Sequence, residues 1–163
     1  MIRVAEKRDL VTINNIYNQA VGAKHQTADI TPISIENRKK WYLDHDLENY
    51  PIFVLERQNS ILGWFSISAY RKGREALNQV AEVSYYVHKD FQRQGIGSIM
   101  LKHAIQVAPF YGFETLIAIL LEQNNASIKL LEKFDFSRWG VLPKVANFNG
   151  KRFDHLYYGL KIL

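Results

Sequence analysis

The fold is decided by the stretch VHKDFQRQGIGS at positions 87–98, which runs from a β-like segment into an amphipathic helix. A helix N-terminus exposes unpaired backbone N–H groups and carries about half a positive elementary charge, so it attracts anions. Gly95 and Gly97 lack Cβ atoms and would let phosphate oxygens approach the main chain, and Arg93 adds a full positive charge. These groups suit a pyrophosphate. A plain glycine turn with a solvated arginine would contain the same residues, and neither a P-loop nor a complete dinucleotide fingerprint is present.

The segments on both sides of this stretch alternate between strand and helix patterns. Alternating or continuous apolar residues predict strands at residues 2–5, 52–55, 61–70, 80–88, 116–121, 139–145 and 153–163. Helical spacing predicts helices after Asp9, after Ser34, after Gly95 and over residues 127–134, with Asp9 and Ser34 as N-caps. The order predicts an α/β fold, a mixed sheet covered by helices, with antiparallel hairpins first and a β-α-β crossover in the second half.

The composition is that of a single globular domain spanning residues 1–163. Hydrophobic residues make up 47% and charged residues 23%, which excludes a disordered chain. The absence of cysteine excludes a disulfide scaffold, a thiolate metal site and a cysteine nucleophile, and it agrees with a reducing cytoplasm.

No run reaches the roughly 20 apolar residues of a membrane helix. Charges near Met1 argue against a signal peptide, so we expect a soluble chain that begins there. The net charge of +5 favours an anionic partner or simply aids solubility.

Two motifs resemble those of the GNAT superfamily of N-acetyltransferases. QRQGIG at positions 92–97 is similar to the family's Arg/Gln-x-x-Gly-x-Gly/Ala motif. NNASIKLLEKFDF at positions 124–136 is similar to its second cofactor segment, Asn-x-x-Ala/Ser-x-x-Leu-Tyr ending in Gly-Phe. Four further stretches resemble the phosphinothricin N-acetyltransferase subgroup: IYNQAV at 16–21, YR at 70–71, AEVSYYVH at 81–88 and FD at 153–154. The resemblance implies the GNAT fold, a central mixed and mostly antiparallel sheet of six to seven strands flanked by about four helices.

The resemblance also implies acetyl-CoA as co-substrate, with no metal. By the family pattern, main-chain groups of Tyr85, Tyr86 and Val87 pair with the pantetheine arm, and the Val87 N–H faces the thioester oxygen. Asn124 contacts the pantetheine region, caps the helix that begins there, or does both. The residues implied to hold the pyrophosphate are Arg93, Gln94, Gly95, Ile96, Gly97 and Ser98.

The implied reaction is acetyl transfer to the amino group of a small acceptor, by direct attack in a ternary complex. A primary amine is mostly protonated at neutral pH, so a base must remove a proton. Glu82, on the strand that leads to the acetyl-binding turn, is the first candidate, and it could instead anchor the substrate ammonium or form an ion pair. His155 is the second candidate. Leu131 replaces the tyrosine that protonates the leaving thiolate in many members, so no acid is assigned, although water, Tyr111 or Tyr86 could serve.

The implied acceptor is a phosphinothricin-like or methionine-sulfone-like amino acid. Arg71, in the basic loop before the cofactor strand, matches the subgroup's pattern and would bind its carboxylate or phosphinate as a two-point fork. Trp41, Trp64 and Phe65 could line part of the acceptor site, although most such residues belong to a core. We expect a cytoplasmic homodimer that binds neither nucleic acid nor membrane.

Three alternatives remain open at this point. A nucleic-acid-binding module would use the basic excess, but no helix carries a run of Lys and Arg. A coenzyme-binding sensor without catalysis is suggested by Leu131. An enzyme of the same class could also acetylate a protein N-terminus or a polyamine.

Overall fold

The computed structural model describes residues 1–163 and contains a seven-stranded sheet and four α-helices. The strands are β1 (Ile2–Val4), β2 (Ile52–Arg57), β3 (Ser60–Ala69), β4 (Val80–Val87), β5 (Thr115–Leu121), β6 (Ser137–Phe148) and β7 (Lys151–Lys161). The helices are α1 (Leu10–Ala23), α2 (Ile35–Leu43), α3 (Ile96–Val107) and α4 (Asn125–Lys133). Each predicted strand and helix is confirmed, with boundaries shifted by a few residues. None of the helices has the length and apolar character that crossing a membrane requires.

The sheet contains one parallel strand pair among antiparallel ones. Its strand order is β1-β2-β3-β4-β5-β7-β6, and only β4 and β5 run parallel. Their pairing extends from Val80 opposite Thr115 to Glu82 opposite Ile117 and then stops. Both strands continue beyond that point, so the sheet opens between them. The predicted mixed sheet and its β-α-β crossover are therefore confirmed.

The two faces of the sheet carry separate apolar clusters. One cluster packs β-strand side chains against α3 and α4, and we call this side the α3/α4 face. The other packs against α1 and α2, the α1/α2 face. Along β4, Tyr85 and Val87 join the first cluster while Tyr86 joins the second. Because side chains alternate along a strand, Glu82 and Ser84 lie with Tyr86 on the α1/α2 face.

The two predicted helix caps have different outcomes. Ser34 is confirmed, since its Oγ accepts a hydrogen bond from the Asn37 N–H at 3.2 Å. Asp9 occupies the N-cap position of α1 as predicted, but its carboxylate accepts no hydrogen bond from an N–H of α1. It accepts two hydrogen bonds from the Arg3 guanidinium, at 2.7 and 3.0 Å, and one from the Glu6 N–H at 2.8 Å. The two-point ion pair with Arg3 occupies both carboxylate oxygens, so Asp9 anchors β1 instead.

Replacing Gly63 with alanine should destabilise the sheet next to its opening. An added Cβ would lie 2.7 Å from the Tyr86 carbonyl oxygen and 3.0 Å from Met100 Cε, so β3 would press on β4. We expect a loss of about 1–3 kcal/mol in the free energy of unfolding, measured by urea denaturation.

Gly22→Ala provides the matched control. Nothing lies within 4 Å of a Cβ at this helical position, and alanine should raise the free energy of unfolding by roughly 0.5–1 kcal/mol. Unfolding midpoints that are equal for Gly63→Ala and the unmodified protein would show that the close packing of β3 on β4 is unimportant.

Candidate active site

The opening of the sheet forms a cleft between β4 and β5, here called the β4/β5 cleft. Its volume is about 410 Å³. Its walls come from the unpaired part of β4, the loop and first turn of α3, the middle of β5, and α4. Glu82 is the last β4 residue that pairs with β5, so it lies at the point where the strands part.

Backbone N–H and carbonyl groups along one edge of β4 point into this cleft. The His88 N–H donates to the Leu62 carbonyl oxygen near β3 at 2.8 Å, and N–H directions alternate along a strand. The N–H groups of Tyr85 and Val87 therefore point away from β3, toward the space left by β5. The Val87 carbonyl oxygen receives only a long contact of 3.5 Å from the side-chain amide of Gln92. An extended ligand containing amides can bind such an edge as an added strand would.

Tyr86 departs from the family expectation for its main chain. It lies opposite Trp64 in the antiparallel β3/β4 register, so its N–H and carbonyl belong to that pairing and face away from β5. Its ring packs on the α1/α2 face, 4.8 Å from the Trp64 ring and 4.9 Å from the Tyr17 ring between centroids. Alternation therefore leaves the backbone groups of Tyr85 and Val87 facing the cleft and those of Tyr86 on the opposite edge, although Tyr86 is among the lining residues.

The first turn of α3 presents free backbone N–H groups at the mouth of the cleft. Gly95 adopts the left-handed φ of 78° and Arg93 that of 60°. The Ile99 N–H makes the first helical bond, to the Gly95 carbonyl at 3.1 Å, so the N–H groups of residues 96–98 have no acceptor within the helix. The exposed Arg93 side chain forms no ion pair. The turn therefore has free N–H donors and an unpaired cation beside them, which are the features of an anion site.

The two glycines of this turn are needed for different reasons. At Gly95 the backbone conformation requires glycine, although nothing lies within 4 Å of the position that a Cβ would take. At Gly97 an added Cβ would lie 3.0 Å from Leu130 Cδ2, so this glycine allows α3 to pack on α4. The Gln94 side-chain amide donates to the Asp90 carbonyl at 3.1 Å and steadies the loop. Ile96 is buried in the core, and Ser98 is half-buried at the cleft.

The wall formed by α4 contains a helix-capping residue and an apolar residue, and a buried hydroxyl from β4 lies near it. Asn124 Oδ1 accepts from the Ser127 N–H at 3.2 Å, so its capping role is confirmed, and it also lines the cleft. Leu131 is fully buried and lines the same wall without a proton to donate. The Tyr85 hydroxyl has no hydrogen-bond partner, and burial raises the pKa of this phenol to about 12, opposed by the nearby Ser127.

Glu82 is a partly buried carboxylate on the α1/α2 face. Burial raises its pKa, and the Ser84 hydroxyl opposes that shift. No ion pair of the chain includes Glu82. An unpaired carboxylate with a raised pKa, placed where two strands part, has the properties of a general base.

His155 and Arg71 lie outside the β4/β5 cleft. His155 is on β7 opposite Leu121, whereas Glu82 is opposite Ile117, so they are separated by about 13 Å along β5 and by a further strand. Arg71 is exposed in the connection between β3 and β4, at the end of the sheet where β4 begins. Glu82 does not line the cleft either, but it directly precedes the lining residue Val83, whereas His155 and Arg71 lie on other parts of the chain.

Sequence reasoning missed the β5 side of the cleft, Ala118, Ile119 and Leu120, and also His25 and Gln26 in the connection after α1. His25 Nδ1 lies 2.7 Å from the Ala23 carbonyl oxygen. The helix before them reaches the loop that leads into α3, since Gln19 Oε1 accepts from the Lys89 N–H at 2.9 Å. No local pattern marks this contact, because the partners are 70 positions apart. No cluster of His, Asp or Glu in the chain has the arrangement of a metal site.

A mixed sheet that opens between its parallel strands, with a helix N-terminus at the mouth, defines an acyl-group transferase that holds its donor inside the sheet. The sequence model described as the Acetyltransferase (GNAT) family matches residues 12–136. The chain belongs to this family, and the resemblance to its phosphinothricin acetyltransferase subgroup is confirmed.

Three known proteins illustrate the relationship. YwnH of Bacillus subtilis (strain 168) is 38% identical over 99% of this chain and 96% of its own length. The L-methionine sulfoximine/L-methionine sulfone acetyltransferase of Salmonella typhimurium is 30% identical over 99% of this chain and 94% of its own. The structure of a GNAT superfamily phosphinothricin acetyltransferase from Sinorhizobium meliloti in complex with acetyl-CoA superposes with a TM-score of 0.91. It is 25% identical and covers 99% of this chain and 87% of that one.

Glu82→Gln should stabilise the fold at neutral and alkaline pH. Because the folded-state pKa of Glu82 is raised by burial, the folded protein loses stability as the pH rises above the ordinary value of 4.5 and through the raised one. Glutamine carries no charge and avoids this loss, so the gain in Tm should be absent in acid and grow with pH. Thermal melts across a pH series measure it.

Glu75→Gln is the matched control, since this exposed residue precedes β4 and the substitution removes the same charge. A Tm difference for Glu82→Gln that stayed constant with pH would contradict the role of burial.

Proposed function

We propose that the protein is an acetyl-CoA-dependent N-acetyltransferase acting on a small amino acid of the methionine sulfone, methionine sulfoximine or phosphinothricin kind. The observation that carries this proposal is the unpaired main-chain edge of β4 at Tyr85 and Val87, which faces the β4/β5 cleft beside a free helix N-terminus. The names of the relatives and the acetyl-CoA complex support the donor and the acceptor class.

The residues of the cleft fit the chemical groups of the donor. Acetyl-CoA supplies an activated acetyl group, an arm containing amides, and a pyrophosphate. The Val87 N–H is the proposed donor to the thioester oxygen, and the main chain of Tyr85 pairs with the arm. The N–H groups of residues 96–98 and the Arg93 side chain bind the pyrophosphate. Asn124 uses Oδ1 for its cap, which leaves Nδ2 to donate into the cleft.

Glu82 is proposed to receive the proton that the acceptor must lose. The amine nitrogen forms a bond to the acetyl carbon, the carbon–sulfur bond breaks, and CoA leaves as the thiolate. The chain has no cysteine to carry the acetyl group, which supports direct attack in a ternary complex. A raised pKa makes Glu82 a stronger base than an ordinary carboxylate, so activity should rise as the pH passes through that pKa.

The leaving thiolate needs no strong acid. A free thiol has a pKa of about 8.5, so the thiolate is a tolerable leaving group. Leu131 has no proton to give, and the buried Tyr85 hydroxyl lines the same cleft. Water or a tyrosine of the site is the proposed proton source.

The roles of His155 and Arg71 remain proposals, and both residues lie outside the cleft. Arg71 is exposed and free of ion pairs at the start of β4, which suits the capture of an anionic acceptor group from solvent. His155 is half-buried, and burial lowers its pKa, so it is neutral and able to accept a proton near neutral pH.

We also propose a homodimer in the cytoplasm. The edge strand β6 spans Ser137–Phe148, and its outer edge has no strand partner in the monomer. Four large apolar side chains on it are exposed: Trp139, Val141, Leu142 and Val145. A long apolar edge strand aggregates unless it is covered, and a second copy of the chain would cover it. The cytoplasm is proposed because acetyl-CoA is a metabolite of that compartment.

The function is tested by incubating the purified protein with acetyl-CoA and methionine sulfone, methionine sulfoximine or phosphinothricin. Thiol release and the N-acetylated product should both appear. Acetyl-CoA binding without product, for any amine in a broad panel that includes peptides and polyamines, would refute the enzyme and favour a coenzyme sensor.

Gly95→Glu should abolish high-affinity binding of acetyl-CoA, because it places a negative charge beside the N–H groups of residues 96–98. Gly73→Glu is the matched control. Both glycines have a φ of 78° and open space around the position of a Cβ, so the backbone strain is the same. Both variants should lose about 1 kcal/mol of stability. Calorimetry should find affinity reduced at least about 100-fold only in Gly95→Glu. Equal affinities in the two variants would contradict the anion site.

Introducing charge on β6 should give a monomer. The double substitution Val141→Lys and Leu142→Lys places two cations on the exposed apolar strand, and Val11→Lys is the control on α1, where valine is also exposed. Analytical ultracentrifugation should show twice the chain mass for the unmodified protein and Val11→Lys, and one chain mass for the double variant. A monomeric unmodified protein would exclude the proposed dimer.

A further inference from the structure

Arg38 is a buried cation on the α1/α2 face. It belongs to α2 and is only 5% exposed. Its guanidinium carbon lies 4.6 Å from the ring centroids of Tyr17 and Trp41 and 5.7 Å from that of Trp64. Three aromatic rings therefore enclose the charge and restrict its hydration, while their faces attract it.

The guanidinium lacks most of the partners that a buried arginine requires. Its Nε–H donates to Asn14 Oδ1 at 3.2 Å. It makes no other hydrogen bond to the protein and belongs to no ion pair. The terminal N–H groups of the fork are thus without protein acceptors, and they are not among the side-chain atoms that are both fully buried and unpaired, so they stay accessible to a ligand.

The neighbouring polar groups are committed elsewhere. Asn14 Nδ2 donates to the Ile33 carbonyl at 2.9 Å, which fixes the orientation of Oδ1 toward Arg38. Asp29, a nearby carboxylate, accepts a hydrogen bond from the Tyr17 hydroxyl. The indole N–H of Trp64 is also buried without an acceptor. Arg38 and Trp64 thus present free donors, which are the chemical complement of an anionic group, while the Asp29 carboxylate keeps further lone pairs beside Tyr17.

The position of Arg38 relates it to the proposed acceptor side of β4. Trp64, which packs against the guanidinium, lies opposite Tyr86 in the β3/β4 register. Two positions along the same face lie Ser66 and Ser84, also opposite each other, and beyond them is Glu82. A cation and an anion thus share one face, on the side of β4 opposite α3 and α4.

We propose that Arg38 binds the α-carboxylate of the acceptor and makes the enzyme selective for amino acids over simple amines. This inference rests on the proposed acetyltransferase function. The carboxylate of an amino acid is directed to the terminal N–H groups of Arg38, which bind both oxygens at once. The aromatic rings exclude water from the contact and strengthen it. Arg71 then binds the acceptor on its approach from solvent or binds its phosphinate group.

The test compares methionine sulfone with its decarboxylated amine as acceptors for the full-length protein. Arg38→Lys retains the charge but loses the planar fork, so kcat/KM for methionine sulfone should fall about 10- to 100-fold. The value for the decarboxylated amine should fall far less, because this acceptor has no carboxylate to lose. Arg74→Lys, the same substitution at an exposed arginine, should leave the ratio of the two values unchanged.

A second variant guards against a folding defect in Arg38→Lys. Asn14→Asp places a carboxylate beside the Arg38 Nε–H and compensates the charge of the guanidinium, at the cost of the amide that donates to the Ile33 carbonyl. The fold should persist, judged by acetyl-CoA affinity, and the preference for methionine sulfone over the amine should fall about 10-fold or more. Arg71→Lys is measured in parallel. A carboxylate-selective loss in Arg71→Lys, with none in the other two variants, would overturn the proposal.

Failure of this inference is distinguishable from failure of the proposed function. Equal losses for both acceptors in Arg38→Lys and Asn14→Asp would show that Arg38 is purely structural. If the unmodified protein acetylates neither acceptor, calorimetry of methionine sulfone with the CoA-bound protein decides the matter. If methionine sulfone binds and Arg38→Lys weakens that binding, the carboxylate site is supported and the enzymatic function is not. If methionine sulfone does not bind, both proposals are refuted.

Discussion

The parallel pairing of β4 and β5 ends at Glu82 and Ile117, and the chemistry of the protein depends on where it ends. A parallel pair requires a crossover connection, and here that connection contains α3. The crossover begins at the carboxyl end of β4, so the N-terminus of α3 necessarily lies at the mouth of the opening. The unpaired strand edge and the free helix N–H groups are therefore two results of one topology. Together they form a cleft rich in hydrogen-bond donors.

Alternation along β4 separates the donor side of the site from the acceptor side. The main chain of Tyr85 and Val87 faces the cleft, while the side chains of Glu82 and Tyr86 project onto the α1/α2 face. The charges on that face are poorly compensated within the chain, since neither Glu82 nor Arg38 has an ion-pair partner. Such groups reduce stability, and an external ligand that pairs with them would offset that cost.

Much of the fold was predictable because its elements are encoded locally. Apolar periodicity located all strands and helices, and Ser34 was recognised as a cap because its partner, Asn37, is three residues away. In two places a tertiary contact replaces the role that the local sequence indicated. Asp9 has the sequence of a cap, but the Arg3 guanidinium from β1 takes its carboxylate. Gly97 was explained by ligand approach, whereas Leu130 of α4 occupies the space that its Cβ would need.

The sequence by itself determined the order of the elements, the two family motifs and the residue types available for anion binding and proton transfer. These properties depend on conformations and spacings within a few residues. Only the tertiary structure decided which edge of β4 remains unpaired, that Tyr86 is turned away from it, and that His155 stands apart. It also placed Asn14, Tyr17 and Trp64 around Arg38, although Asn14 is 24 positions away in the chain. Such neighbours are set by how helices pack on the sheet, and no local pattern records that packing.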